Sequence, residues 1–260
     1  MPRVPRAGEG STFLVRIRSM WEHEEPPSAA DAMNEPWDDR SGDMDPLIVR
    51  AWKVFVSPGE VFRALAREPR FPGAILLGAG LVALAGLAVP LEVYEDGLRT
   101  QILEMGGDLP ADPAVIARFS KVGAIFGAFL LWPLMAVISA GVLALVLLFG
   151  FWYEGNFLQY LAVTAHAFLV AAVGALVLVP LKIVTSDPGF TISLGHLFFF
   201  LEGGWASRFL GYLDLFNLWA FTLVGIGASV VDGERPPGPA IAVGVGIIVL
   251  LAMAVAAVTG

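Results

Sequence analysis

The sequence predicts an all-α membrane protein, a bundle of five transmembrane helices with an amphipathic interfacial helix before the first span. Five long segments contain no Asp, Glu, Lys or Arg: Phe71–Leu91, Val122–Tyr153, Gly155–Leu181, Leu215–Val231 and Pro236–Gly260. A helix needs about 20 apolar residues to cross the hydrocarbon core, and a backbone in lipid must satisfy its own hydrogen bonds. Hydrophobic residues make up 57% of the chain and charged residues only 15%, which agrees with the membrane class.

The composition argues against several kinds of site. The chain has no cysteine, so it has no disulfide, thiolate nucleophile or cysteine metal site. Its histidines, His23, His166 and His196, are too scattered for a metal motif, and we expect no cofactor. The net charge of −8 is opposite to the basic surfaces that bind nucleic acid. Gly-x-Ser-x-Gly, His-Glu-x-x-His and Walker motifs are absent, so we expect no enzyme activity.

The amino-terminal segment Met1–Asp45 is rich in Pro, Asp, Glu, Arg and Ser and has few apolar side chains. Such a segment cannot bury enough apolar surface to offset its ordering entropy. The sequence therefore predicts a disordered cytoplasmic tail over residues 1–45 and a membrane domain over residues 46–260. The excess of Arg over Lys and the abundance of Ala and Gly are typical of GC-rich bacterial genomes, so we expect a bacterial cytoplasmic membrane.

The sequence after Val56 predicts a short amphipathic helix. Its start has Ser57 as the cap, Pro58 at the first helical position and Glu60 to complete a capping box. Its apolar face is formed by Val61, Phe62 and Leu65. Three arginines lie mostly on the other face, which favours a helix on the membrane surface with Phe62 in the lipid interface. A connector helix without lipid preference is the alternative.

The first span is predicted at about Phe71–Leu91, and the acidic segment Glu92–Ser120 follows it as a loop. The second span fits inside Lys121–Gly150 and carries Pro133, which should kink it. A short link leads into the third span, at about Gln159–Leu181.

The next apolar run, Phe190–Leu201, is too short to cross a bilayer and predicts an interfacial or re-entrant segment. The fourth span is predicted from Asp214 to Val231. A tight polar turn at Asp232–Pro237 then leads into the fifth span, which takes the rest of the chain.

Orientation follows from the basic residues that precede the first span. These are Arg50, Lys53, Arg63, Arg67 and Arg70. Because cytoplasmic loops carry the excess of Lys and Arg, we expect a cytoplasmic amino terminus. Five spans then predict an extracytoplasmic carboxyl terminus, with the short turns near Glu154 and Glu234 in the cytoplasm.

Several stretches resemble a known family. Val54–Leu65 resembles the segment that leads prokaryotic Yip-domain proteins into their membrane domain. Leu213–Trp219, followed by Gly225-Ile226-Gly227, resembles their fourth span, and the turn Asn156–Tyr160 is similar to theirs. The resemblance covers residues 46–260 and implies five spans with a cytoplasmic amino terminus.

The resemblance implies little biochemistry. Eukaryotic Yip proteins bind Rab GTPases and act in vesicle traffic. Their Asp-Leu-Tyr-Gly-Pro motif has no match here, because Asp214–Asn217 shares only its first two residues. Binding of Rab-type GTPases is therefore not supported, and the expected partners are the lipid bilayer, other membrane proteins or a second copy of the chain.

Three polar residues are candidates for an intramembrane role. His166 lies within the third span, where an ionisable group is costly and often functional. It can instead stay neutral and donate or accept a hydrogen bond to a neighbouring helix, with Asn217 or Ser139 as the expected partner. Asp214 and Asn217 lie one turn apart. Asp214 is expected to cap the fourth span or to pair with Lys182 or Arg208, and Asn217 to bridge helices.

Two pairs of small residues, Gly123/Gly127 and Gly225/Ser229, predict faces where helices approach closely. The sequence leaves open whether they join spans of one chain or of two.

We expect a membrane protein that organises the bilayer or binds other membrane proteins through its spans and its amphipathic helix. The alternative is a transporter or channel component, with Pro133 and Pro180 as helix irregularities and His166 or Asn217 lining a path. Five spans lack an even inverted repeat, which favours the first function. An intramembrane enzyme would need His166 and Asp214 together, and their difference in depth argues against it.

Overall fold

The computed structural model describes residues 44–104, 106, 112–198, 200, 204–233 and 235–258. In these residues the regular elements are helical, apart from one isolated β-bridge between Ser193 and Asp214. The predicted all-α class is confirmed. The predicted tail, Met1–Asp45, lies outside the described residues except for its last two.

The helices follow one another in chain order. They are α1 Leu47–Val56, α2 Pro58–Arg67, α3 Pro72–Ala88, α4 Leu91–Glu104, α5 Pro113–Leu145 with a π-helical turn at Val146–Gly150, α6 Phe157–Ala167, α7 Leu169–Val177, α8 Val179–Val184, α9 Leu194–Leu197, α10 Gly204–Tyr212, α11 Leu215–Val231 and α12 Gly238–Val258.

Three helical stretches are long and apolar enough to cross a membrane, namely Pro113–Gly150, Phe157–Val184 and Gly238–Val258. A fourth candidate results if α3 and α4, which are bent by 81°, form one span. Helix α11 is apolar but has only 17 residues. The structure confirms an all-helical protein with three or four helical stretches that could cross a membrane, and the number five stays a prediction.

The segment Glu92–Ser120, predicted as a loop, is largely helical. Helix α4 covers its first part, and α5 begins at Pro113. The Asp112 side chain starts α5 by accepting a hydrogen bond of 3.0 Å from the amide of Ala114. The prediction failed because the acidic side chains of α4 interrupt its apolar periodicity without breaking the helix.

Phe190–Leu201 behaves as predicted in its described part. Helix α9 within it has only four residues, which is far too short to cross a bilayer. Phe198 and Phe200 are exposed. This segment therefore adds no span.

The predicted lipid-facing role of Phe62 is wrong. Val61 and Leu65 are buried, and Phe62 has no exposed surface. A Cβ at Gly227 of α11 would lie 3.1 Å from the Phe62 ring. The apolar face of α2 therefore packs on the protein, because Gly227 leaves a recess that the ring fills.

The predicted capping box at the start of α2 is also wrong, although Pro58 takes the first helical position. The Ser57 side chain makes no cap hydrogen bond, and its amide donates to Lys53 O at 2.7 Å. The Glu60 carboxylate lies 3.5 Å from the Lys53 ammonium. Ser57 therefore ends α1 as well as beginning α2.

Helix α1 carries the exposed apolar stripe of this region. Ile48, Trp52 and Val56, each four residues from the next, are 69%, 67% and 57% exposed. On another side of the helix, Phe55 meets Trp219 of α11 edge-on, with ring centroids 5.6 Å apart. Helix α1 is thus attached to the bundle and turns an apolar stripe outward.

Helices α11 and α12 pack closely against each other at glycines. A Cβ at Gly225 would overlap the backbone of Ile241, and one at Gly244 would lie 2.6 Å from the Phe221 carbonyl oxygen. The small-residue face at Gly225 thus joins two helices of one chain.

The second pair of small residues behaves differently. A Cβ at Gly123 meets nothing within 4 Å, and one at Gly127 meets only Leu131 of its own helix, at 3.7 Å. Within the described residues, no helix packs against this pair, so the predicted close approach is not found there.

Replacement of Gly225 by Ala should destabilise the protein, because the added methyl group would collide with the Ile241 backbone. Overpacking of this kind costs about 1–3 kcal/mol, so we expect a lower Tm in detergent. Gly246 is the matched control, since a Cβ there meets nothing within 4 Å. Gly246→Ala should keep or raise the Tm, and a Gly225→Ala protein as stable as the parent would contradict the contact.

Candidate functional site

Two short turns lie against each other at one end of the bundle. The Asp232 carboxylate accepts a hydrogen bond from the amide of Glu154 and pairs with Arg235 at 2.7 Å. The Arg235 guanidinium lies 5.0 Å from the centroid of the Tyr153 ring and donates to Phe151 O at 3.2 Å. We call the end that contains the 151–156 and 232–237 turns the turn end.

Gln159 ties α2 to the turn end. It forms the capping box of α6 with Asn156, and its Nε2 also donates to Ala66 O at 2.6 Å. The buried Tyr160 hydroxyl donates to Glu154 O at 2.7 Å. These bonds place the end of α2 and the 151–156 turn at the same end of the bundle.

His166 is completely buried in α6. Its Nδ1 lies 2.8 Å from the carbonyl oxygen of Ala162, one turn earlier in the same helix. Its Nε2 has no hydrogen-bond partner. The predicted bond to Asn217 or Ser139 is wrong, because the imidazole bonds to its own helix and Asn217 is exposed.

Arg50 of α1 is the neighbour of His166 that the sequence did not predict. It is only 7% exposed, its Nε and Nη1 have no hydrogen-bond partner, and its charge acts on His166. Burial and then the nearby Arg70 lower the pKa of Arg50, while Asp45 and Glu68 raise it. Its position one turn before the buried Val54 was the available signal, since residues four apart share a helix face.

Helix α6 holds a second buried polar group without a hydrogen-bond partner. The hydroxyl of Thr164, two residues before His166, is buried without a partner as well. A buried polar atom that lacks a hydrogen bond costs about 1–3 kcal/mol. Chemically, the unused Arg50 N–H groups can donate to an acceptor, whereas the His166 Nε2 can accept a hydrogen bond from a donor such as water, because the Nδ1–H of the ring donates to Ala162 O.

Asp214 has the predicted capping role. Its Oδ1 accepts a hydrogen bond of 2.9 Å from the amide of Asn217 and so starts α11. Burial raises the pKa of Asp214, and the amides of Asn217 and Phe216 and the charge of Lys182 oppose that rise. The predicted cation partner is thus Lys182, acting through its charge rather than through direct contact. Asn217 contributes its backbone, and its exposed side chain does not bridge to another helix in the described structure.

The candidates from the sequence therefore do not form one site. His166 interacts with Ala162 and Arg50, whereas Asp214 interacts with its own helix and Lys182. Phe62 is a packing residue. In the described part of the chain, no group of three or more His, Cys, Asp or Glu side chains is arranged to hold a metal ion.

Comparison with protein families gives a match to the Yip1 domain over residues 52–258. No curated protein and no solved structure matches the chain. The match spans α2 to α12 completely and therefore contains the membrane-crossing helices and both turns of the turn end.

Replacement of His166 by Leu should leave the stability within about 1 kcal/mol of the parent, because the ring makes only one bond and leaves Nε2 unpaired. Thermal unfolding in detergent measures this. Phe62→Ala is the sensitivity control and should cost about 3–5 kcal/mol, since it empties a filled recess. A large loss for His166→Leu would mean that Nε2 is bonded to a water molecule or ligand.

Proposed function

The chain belongs to the Yip1 domain family, and we propose that it is a five-span protein that organises the membrane or binds other membrane proteins without being an enzyme. That it is an integral membrane protein follows from its long apolar helices together with the family. The five spans are α3, α5, the α6–α8 stretch, α11 and α12. The 17 residues of α11 give a helix about 25 Å long, which is close to the hydrocarbon thickness of about 30 Å.

The contacts at the turn end support this count. The end of α2, the 151–156 turn and the 232–237 turn are joined there by hydrogen bonds and an ion pair. Each of the three lies directly before or between proposed spans. In the proposed topology the chain crosses to the other end of the bundle between one of these connections and the next.

The turn end is proposed to face the cytoplasm of a bacterial cell. Arg63, Arg67 and Arg70, at the end of α2 and just after it, are exposed, and basic residues accumulate on the cytoplasmic side. This orientation gives a cytoplasmic amino terminus and an extracytoplasmic carboxyl terminus.

The outward apolar surface of α5 carries the proposal. In the most apolar 18-residue stretch of Pro113–Gly150, only 33% is buried inside the protein. Phe126 and Leu130 are both 71% exposed. The stripe of α1, centred on Trp52, adds a second outward surface. Lipid covers such surfaces, and another membrane helix can replace lipid on them where packing is favourable.

A transporter has less support. The residues on which it depended, His166 and Asn217, do not line the cavity of about 750 Å³ that α3, α4 and α5 border. The enzyme hypothesis has less support as well, because His166 and Asp214 have different neighbours. Liposomes containing the protein should show no flux of small polar solutes above that of empty liposomes.

Reporter fusions test the orientation. A reporter at the carboxyl terminus should read extracytoplasmic, and one inserted in the 232–237 turn should read cytoplasmic, because one span separates them in the proposed topology. An insertion in the 151–156 turn is the internal control and should agree with the second fusion. A cytoplasmic carboxyl terminus would contradict the five-span proposal.

Photo-crosslinking tests partner binding. A photoreactive amino acid at Leu130 or Trp52 should give discrete protein adducts in cells, because these side chains face outward. The matched control is Leu143 of α5, which has no exposed surface and should crosslink only within the chain. Adducts of lipid alone at both outward positions would argue against protein partners.

A further inference from the structure

A half-polar cavity lies at the end of the bundle away from the turns. Its volume is about 750 Å³, and it lies between α3, α4, α5 and the residues that follow α7. Helix α4 turns away from α3 by 81° and contacts the loop beyond α8 closely, because a Cβ at Gly97 would lie 2.6 Å from Pro188 Cδ. Cavities of about 300–1,000 Å³ are typical of small-molecule sites.

An apolar groove of about 250 Å³ adjoins the cavity. Both are lined by Val82 and Ala124, so the two spaces share a wall. The groove continues along α5 past Gly123, Gly127 and Leu131. It is open because no neighbouring element of the described structure reaches within 4 Å of a Cβ built at Gly123.

A half-polar cavity, which we call the chamber, lies beside an apolar groove, and the two together can accommodate a membrane lipid. The headgroup would occupy the chamber, and one acyl chain would lie along α5. This arrangement also explains why the Gly123/Gly127 face has no helix against it, since an acyl chain is thinner than a helix.

The charges in the chamber indicate the kind of headgroup. Lys182 and Asp187 are its lining residues of opposite charge. Asp187 and Asp214 act on Lys182 through their charges, but in the described part of the chain no carboxylate pairs with its ammonium within 4.0 Å. The Asp187 Oδ1 accepts a hydrogen bond from the Gly189 amide at 2.8 Å, which holds the carboxylate in place. The Lys182 ammonium and the Asp187 carboxylate therefore complement a zwitterionic headgroup, which carries one negative and one positive group.

The surrounding charge disfavours an anionic lipid. Helix α4 carries Glu92, Glu95, Asp96 and Glu104 against the single cation Arg99, and it lines the chamber with uncharged residues, so these charges lie around the chamber rather than in its wall. A headgroup with net negative charge would be repelled by this helix.

We propose that the cavity and the groove bind one zwitterionic phospholipid with an amine-bearing headgroup. Its phosphate faces Lys182, its ammonium faces Asp187, and one acyl chain follows Gly123 and Gly127. This inference goes beyond the proposed protein partners and requires only that the chain is embedded in a membrane.

Native mass spectrometry of the delipidated full chain in detergent tests the proposal, with phosphatidylethanolamine as the probe and phosphatidylglycerol as the anionic comparison. The parent should retain one phosphatidylethanolamine and prefer it over phosphatidylglycerol. Lys182→Met should weaken binding about tenfold, the effect of losing one charge-assisted bond, and Lys182→Arg should restore it. Asp187→Asn keeps an oxygen that accepts from the Gly189 amide but removes the negative charge that faces the ammonium. It should therefore reduce the preference for phosphatidylethanolamine over phosphatidylglycerol.

Variants in the groove distinguish a lipid bound at this site from lipids that surround the protein without specific binding. Gly127→Leu fills the groove and should weaken binding, whereas Gly246→Leu, also at an open glycine, should not. Arg118→Met is the charge control, because Arg118 is exposed and does not line the cavity. The Tm of each variant checks that it is folded.

Each failure has a distinct meaning. Loss of phosphatidylethanolamine binding in Lys182→Met together with parent-like binding in Gly127→Leu would mean that only the headgroup is recognised, and would overturn the placement of an acyl chain in the groove. Loss only in Gly127→Leu would indicate a purely apolar contact. Stronger binding of phosphatidylglycerol would overturn the zwitterionic headgroup, and equal binding by all variants would overturn the site.

Discussion

A backbone surrounded by hydrocarbon has no water to bond to its amides and carbonyls, so each apolar segment must satisfy these groups internally. In this chain the apolar segments do so as helices, from α3 through α12. Where a helix ends, another group takes over. Asp112 and Asp214 cap α5 and α11, and the Lys121 ammonium donates to the carbonyl oxygen of Val89, the residue directly after α3, at 2.6 Å.

The same constraint explains how the helices pack. Since lipid offers no hydrophobic force between helices, close contact depends on small residues. Gly225 and Gly244 bring the backbones of α11 and α12 together, and Gly227 gives Phe62 of α2 a recess between helices. The polar interactions collect at the turn end, where Asp232, Arg235 and Gln159 join three connections. Among the described residues, Arg50, Tyr153, Thr164 and His166 keep buried polar atoms without a hydrogen-bond partner.

Features that depend on a few neighbouring residues were predictable. The helical class, the cap at Asp214 and the short segment at Phe190–Leu201 each follow from local composition or from one side chain and the next turn. The partners of Phe62 and His166 were not predictable. The apolar face of a helix near a membrane can contact either lipid or the rest of the protein. For α2 the recess at Gly227 determines that it contacts the protein. Likewise, nothing local reveals that the His166 ring bonds to Ala162 O while Arg50 comes from a distant helix.

The sequence by itself determined that this protein belongs in a membrane and that its apolar segments are helical, because both depend on composition and on backbone hydrogen bonding. It also determined the family through residues at fixed spacing. Only the tertiary structure decided that Gly225 contacts another helix while Gly123 faces an open groove, although both are small residues in apolar helices. A glycine permits close approach without specifying what approaches, and that choice depends on the positions of all the helices together.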